Sequence, residues 1–403
     1  MLPVHQVHVL NGEGNQRVSH IIHVADLHVR IGARNDEYRH IFDAFCNEIE
    51  SLPSVKNNSA ILVIAGDLFH TRRVDSGAGK CIFELFNRLL RVLPIFIICG
   101  NHDYQQGHNE TTDMIELLTT PYAYTHAPLH YLNVTGHYVY KNIVFGVTRV
   151  QDTLRACNTS GIVTDLAPFP SPAALNTQHK IALFHGTISQ SALPSGRSAD
   201  SVAKGYPLDW FQGYDLVLLG DNHKQQIHST PEGMKWGYPG SLIQQDHGEP
   251  LDGHGYIIWD LDARTGVAHH IHNPYGALTI VKSNECFSAV LDTRTSTPLS
   301  DVLTSLPKWP RLRVVGTYAN STEVTAILAS AGITPSEIRI SNPKAVLFQT
   351  PTSTSVVVPE SEITLAHLNQ PVEWAAYITS KDADISTEWI RNPHSLLVPP
   401  SLP

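Results

Sequence analysis

The sequence predicts an α/β protein with a parallel sheet in its first half and a smaller α+β unit behind it. Three observations carry that reading. Short apolar runs of strand type alternate with segments of helical period. Five of those runs end in a small or apolar residue followed by acids, amides or histidines. The 403 residues also exceed what one hydrophobic core usually serves, so two domains are expected.

The elements follow in order. A first strand, HIIHVADLH, ends at His28. Residues 38–52 then place Ile41, Phe45, Ile49 and Leu52 on one face at helical spacing. A strand over 60–65 leads to a helix over 79–93, with Ile82, Phe86, Leu89 and Leu93 in register. A strand over 94–99 and a helix from Thr111 come next. This βαβαβ alternation implies parallel strands covered by helices. From 129 to 150 the strands shorten, and 159–179 reads as a loop containing Pro, Ala and Ser. Strands return at 180–184, 214–219, 234–238 and 255–260. Residues 311–342 read strand, helix, strand; 351–360 reads as a linker, and 361–380 as one amphipathic helix interrupted by Pro371.

Composition bounds the class. With 42% hydrophobic and 16% charged residues the chain is of ordinary globular type. No apolar run reaches the roughly 18 residues of a membrane span. The start MLPVHQVHVLNGEG lacks the charged and apolar regions of a secretory signal. Five cysteines (Cys46, Cys81, Cys99, Cys157, Cys286) lie scattered, mostly in apolar runs, as reduced thiols of an intracellular protein would. A formal charge of −9 argues against a broadly basic nucleic-acid-binding surface. It leaves DNA open as a substrate, because a metal-loaded groove or a basic partner can supply the positive field.

The chemistry sits in five segments: Ala25-Asp26-Leu27-His28, Gly66-Asp67-Leu68-Phe69-His70, Gly100-Asn101-His102-Asp103, Phe184-His185-Gly186 and Gly220-Asp221-Asn222-His223. Strand alternation makes Asp26 and His28 face one centre, and likewise Asp221 and His223. Asp67 can bridge two cations with its two oxygens, Asn101 offers a carbonyl oxygen and His185 an imidazole. Mixed oxygen and imidazole ligands without thiolates suit manganese, magnesium, iron or zinc, and argue against a structural zinc site. Two divalent ions so held can bind a phosphodiester and lower the pKa of a water. His102 is left for proton or charge work, with Asp103 placed to hold its imidazole in one tautomer.

These segments resemble the calcineurin-like metallophosphoesterase superfamily, whose pattern is D-x-H, G-D, G-N-H-D/E, H and G-H-x-H in that order. The full string Gly66-Asp67-Leu68-Phe69-His70, and Gly237-Tyr238-Pro239-Gly240-Ser241 after the last ligand, are similar to the SbcD-like double-strand-break repair nucleases. The resemblance implies a core of two packed sheets flanked by helices over 18–262 and a smaller α+β capping domain over 263–350. Residues 351–403 would be a linker and helical segment contacting an ATPase partner. It further implies that Asp26, His28, Asp67 and His223 bind one metal, and Asp67, Asn101, His185 and Asp221 the other. His102 would be catalytic, Asp103 would orient it, and His70 would lie near the scissile phosphate. The family's G-H-x-H is here Gly220-Asp221-Asn222-His223, so an acid replaces a histidine. That hard ligand favours manganese, then magnesium.

The leading expectation is a metal-dependent DNA exonuclease or endonuclease acting in repair or recombination. It would work with an SbcC-like coiled-coil ATPase and as a homodimer, off the membrane, in the cytoplasm, nucleus or nucleoid, and could be virus- or phage-encoded. The alternatives are a phosphoesterase on nucleotides or phosphoproteins, and an inactive scaffold of the same fold. Arg72 and Arg73 could grip a phosphate or be solvated surface, and so could Lys308, Arg311 and Arg313. His269, His270 and His272 alternate along a strand without an acid nearby and read as structural.

Overall fold

Alternate residues of the AILVIA run enter two different cores, and this sets the architecture. The computed structural model describes residues 6–341 apart from 11, 13–15, 33, 73, 105–112, 126, 157–168, 173–174, 194–204, 284–285, 292–295 and 317–320, together with 348–349 and 355–356. The chain forms two compact units, Met1–Gly276 and Ala277–Pro403.

In the first unit the elements are β1 (Gln6–Val9), β2 (His20–Val24), α1 (Asn35–Ser51), α2 (Pro53–Lys56), β3 (Ala60–Ala65), α3 (Ser76–Leu89) and β4 (Ile95–Ile98). Then come α4 (Met114–Tyr124), β5 (Leu129–Tyr131), β6 (Gly136–Tyr140), β7 (Ile143–Val147), α5 (Val150–Ala156) and β8 (His179–His185). β9 (Leu216–Gly220), β10 (Gln226–Ser229), β11 (Lys235–Tyr238), β12 (Gly255–Asp260) and β13 (Thr265–His270) complete it. One sheet has the order β13-β12-β2-β3-β4-β5 and the other β1-β6-β7-β8-β9-β11-β10. The strands β2 to β5 pair in parallel, as do β7, β8, β9 and β11.

Ile61, Val63 and Ala65 of β3 face the second sheet, in a core with Phe96, Phe145, Leu183, Leu218 and Trp259. Leu62 and Ile64 face the opposite way, under Tyr38, Ile41 and Phe45 of α1 and Ile82 and Phe86 of α3. The outer face of the second sheet is covered through Phe184, Val217 and Leu219, which pack with Phe169, Phe211 and Tyr238. The fold is thus a mixed α/β arrangement of packed sheets flanked by helices. A single parallel sheet was all that the period implied; the second sheet is what lets β3 be buried on both faces.

Capping sets the helix ends. The Asp75 carboxylate accepts from the Ala78 amide, so α3 starts before 79, and Asp113 accepts from Glu116, so α4 starts at Met114 and not at Thr111. α1 stops before Leu52 because Pro53 follows. β13 pairs along its length with β12, so the first unit runs past residue 262.

The second unit has β14 (Ala277–Ser283), β15 (Cys286–Val290), β16 (Ser296–Pro298), α6 (Leu299–Val302), β17 (Arg311–Val315), α7 (Ser321–Ser330) and β18 (Glu337–Ser341). Its sheet order is β16-β15-β14-β17-β18, and Leu278, Ile280, Leu312, Val314, Val324 and Leu328 are buried. The strand-helix-strand read at 311–342 is β17-α7-β18, while β14 to β16 carry no motif that marked them. The helix expected over 361–380 lies outside the described residues.

Leu62 is fully buried, whereas Val267 on the edge strand β13 is 57% exposed. Leu62→Ala is expected to destabilise the first unit by about 2–5 kcal/mol, and Val267→Thr to change it by less than about 0.5 kcal/mol. Denaturant titration of the two variants measures both.

Candidate metal centre

The five polar segments leave the C-terminal ends of β2, β3 and β4 in one sheet and of β8 and β9 in the other. The site therefore lies where the carboxyl edges of both sheets meet. Strand alternation is not what aims Asp26 and His28, which lie past the end of β2. Their φ angles are 53° and 44°, and Asp67 (53°) and Asp221 (89°) share the left-handed region. Each such residue costs about 1–3 kcal/mol, offset here by the pairing of two loops. Asp26 N donates to the Gly66 carbonyl, His28 N to Asp67 and Val29 N to Leu68. Gly66, itself at φ 91°, leaves no room for a Cβ beside the His185 ring, and neither does Gly100 beside the Asp67 carboxylate.

The donors and acceptors fix what the centre can hold. His185 Nδ1 lies 2.7 Å from the Ala65 carbonyl, which can only accept, so Nδ1 carries the proton. In a neutral ring Nε2 is then a lone pair. It faces Asp67 Oδ1 at 3.4 Å and Asp221 Oδ1 at 3.9 Å, both acceptors, and the Asn101 amide at 3.1 Å, whose nitrogen, in the orientation that satisfies its contacts, donates to Nε2 and to Asp67. The same holds for His223, whose Nδ1 donates to Glu249 Oε1 at 2.6 Å while its Nε2 lies 3.0 Å from His28 Nε2. His28 Nε2 is 3.5 Å from Asp67 Oδ2 and 4.0 Å from Asp26 Oδ1. The backbone amides of Asp221 and His102 donate to Asp26 and Asp67, yet the carboxylates and imidazoles still bring more lone pairs together than those donors satisfy, an arrangement suited to a cation. Ligand atoms of Asp26, His28 and His223, and of Asp26, Asp67 and His185, lie within 4.8 Å of one another. These residues fit divalent metal.

Charge in the metal-free site follows from the same contacts. Burial raises the Asp26 pKa to about 7, against the pull of His185 and His223. Burial would also raise Asp67, yet His185 and His28 hold it well below the usual carboxylate range. Burial lowers His28 to about 3. His223 overcomes its burial through Glu249 and Asp26 and rises to about 9, and Asp67 lifts His185 well above its ordinary value.

Other expected residues are placed as follows. Ligand atoms of His28, Asp67 and His102 also lie within 4.8 Å of one another, whereas Asp221 accepts from the Thr187 hydroxyl at 2.6 Å and belongs to none of these three groups. Its backbone N–H donates to both Asp26 oxygens at 3.1 Å. Asp103 does not hold the His102 ring. Its buried carboxylate accepts from the amides of Leu68, Phe69 and Gly100, tying two loops together. His102 Nδ1 donates instead to the His70 carbonyl at 2.7 Å. His70 Nε2 lies 2.9 Å from Arg30 Nη1. Arg72 is exposed, and Arg73 lies outside the described residues. His269 stacks on Tyr256 and His270 bonds Gln225, and neither belongs to a metal group among the described residues. In the second unit Arg311 is buried, whereas Lys308 and Arg313 are exposed.

Glu249 and Arg30 escaped the sequence reading. Arg30 had a visible signal, two residues past His28. Glu249 had none, because it reaches His223 from a loop 26 residues away.

Fold and site together define a domain of metallophosphoesterase type. Residues 19–225 match the sequence model described as calcineurin-like phosphoesterase, and the chain belongs to that family, which uses divalent metals. It is 28% identical over 322 residues to the "Uncharacterized protein R555" of Acanthamoeba polyphaga mimivirus, covering 79% of this chain and 22% of that protein. The chain thus spans about a fifth of the length of the curated relative it matches. A solved structure, "GAP50 the anchor in the inner membrane complex of Plasmodium", aligns over 83% of this chain and 98% of that one, at 11% identity and a TM-score of 0.33. No helix among the described residues is long and apolar enough to cross a membrane.

Two outcomes are expected. Glu249→Gln removes the charge that holds His223 and should weaken metal binding about 10–100-fold, measured by competition with a chelator. In the metal-free protein His185 and His223 carry protons where a metal must bind, so affinity should strengthen as pH rises towards 9. Calorimetric titration in buffers of different ionisation heat should show net proton release at pH 7.

Proposed function

We propose that this chain is a metal-dependent DNA nuclease of the SbcD-like branch, hydrolysing phosphodiester bonds in repair or recombination. The observation that carries the hydrolytic part is a cavity of about 250 Å³ lined by His28, Asp67, His70, His102, Asp221 and His223. Metal-binding and proton-transferring groups thus share one wall. The nucleic-acid part rests on the Gly66-to-His70 string, which brings His70 to that wall.

When bound, two divalent cations supply Lewis-acid stabilisation of phosphoryl oxygens and a water of lowered pKa. Asp26, His28, Asp67 and His223 would hold one, and Asp67, Asn101, His185 and Asp221 the other. Our reading of the metal is manganese, with magnesium second, because carboxylate oxygens are hard ligands. His102, with Nδ1 committed to the His70 carbonyl, keeps Nε2 to exchange a proton with a substrate oxygen. His70 orients the phosphate at the cavity wall.

An SbcC-like ATPase contacting residues 351–403, a homodimer, and a capping role for the second unit belong to this reading. So does an intracellular setting. The similarity to a mimivirus protein supports a virus-encoded origin.

His102→Asn is expected to lower hydrolysis by about 10²–10⁴-fold while metal content stays at the wild-type level. The wild-type chain with manganese should cleave linear DNA as well as a small chromogenic diester. Hydrolysis of nucleotides or phosphoproteins with DNA left intact would replace the nuclease reading by a general phosphoesterase.

A further inference from the structure

Arg30 stands at the catalytic cavity with donors that the protein leaves unspent. It lines the cavity together with His70, Gln245 and Asp246. One terminal nitrogen donates to His70 Nε2 and the other to the Gln245 carbonyl. Its Nε is buried without a partner. The neighbouring Arg34 is neutralised by Glu37 at 2.8 Å, but Arg30 enters no ion pair among the described residues. Burial and the like charge of Arg34 both oppose its charge. Such a guanidinium favours an incoming anion, and its planar donors match phosphate.

Position decides which anion. Arg30 touches His70, and the His70 ring meets the His28 ring edge-on at 5.8 Å. Among the described contacts Arg30 thus reaches a metal-ligating side chain only through His70, one imidazole further out. Because arginine only donates, His70 Nε2 must accept, which leaves its Nδ1–H as a neutral donor. We propose that Arg30 binds a second phosphate of a polyanionic substrate, the one next to the phosphate being cleaved. The site then selects a strand of linked phosphates over a lone phosphoester. This rests on the nuclease reading and narrows it.

The test is binding of a fluorescent single-stranded oligonucleotide to the manganese-loaded full chain, in a His102→Asn background, across salt concentrations. Arg30→Met should weaken binding roughly 10–100-fold and flatten the plot of log affinity against log salt by about 0.7. Arg30→Lys should restore the slope. In the His102-containing enzyme, Arg30→Met should lose about tenfold more activity on the oligonucleotide than on a small diester. An unchanged slope, absent binding, or equal losses on the two substrates would overturn the proposal. Binding with a normal Arg30 dependence but no cleavage by the wild-type chain would instead overturn the nuclease reading. Metal content of each variant separates these outcomes from misfolding.

Discussion

Carboxylates and imidazoles buried together at the meeting edge of two sheets are the constraint on which this fold depends. Burying carboxylates and imidazoles in that arrangement is unfavourable unless a cation joins them. The surrounding structure must therefore hold them in place, and the backbone amides of Asp221 and His102 help by donating to Asp26 and Asp67. It does so by splitting the set between two sheets. Asp26, Asp67 and Asn101 come from the ends of β2, β3 and β4, while His185 ends β8 and His223 follows β9. Two bonds lock the sheets at that edge: His185 Nδ1 to the Ala65 carbonyl, and the Asp221 amide to the Asp26 carboxylate. Below them Val63, Ile98, Leu183 and Leu218 fill the space between the sheets, so side-chain volume in the core sets the separation of the ligands. Packing and chemistry are one problem here.

Much of the fold was legible because its strands are buried and their sequence has nowhere else to go. β3 and β12 run over 60–65 and 255–260, as the apolar runs imply. Helix existence was legible from period; helix starts were not, because Asp75 and Asp113 set them by capping, a one-residue signal that period does not contain. Two packed sheets came from the family resemblance, since alternation alone does not say what covers a strand's second face. β14 to β16 stayed unread because no polar motif follows them, although β14 is the central strand of its sheet and buries Leu278 and Ile280.

The site was legible where a polar residue follows an apolar run, and illegible where a loop returns from a distance. Asp26, His28 and Asp67 announce themselves by position, although what aims them is left-handed backbone and not strand alternation. Asp103 shows the limit of reading neighbours as partners. It adjoins His102 in sequence, yet its oxygens are consumed by three backbone amides. Glu249 shows the converse. It fixes the tautomer of His223 from a loop, and through the Gln245 amide, 2.7 Å from Oε2, it also shapes the wall that carries Arg30's carbonyl acceptor.

That link between Glu249, Gln245 and Arg30 bears on how an acidic chain can attract a polyanion. Asp26, Asp67 and Asp221 bring three carboxylates to a cavity whose two cations would carry four positive charges. The acid at 221, where the family pattern has histidine, would thus halve the net positive charge of a two-cation site, from about +2 to about +1. Its charge acts across a few ångströms in a partly desolvated cleft, where Coulomb terms remain large. A fixed guanidinium outside the ligand cluster restores positive potential without competing for the metals, because arginine cannot ligate them. Arg30 meets that requirement: it is anchored by His70 and a carbonyl, and lacks a carboxylate of its own. The acid at 221 and the arginine at 30 therefore offset one another in charge, the one lowering the positive potential of the cleft and the other raising it.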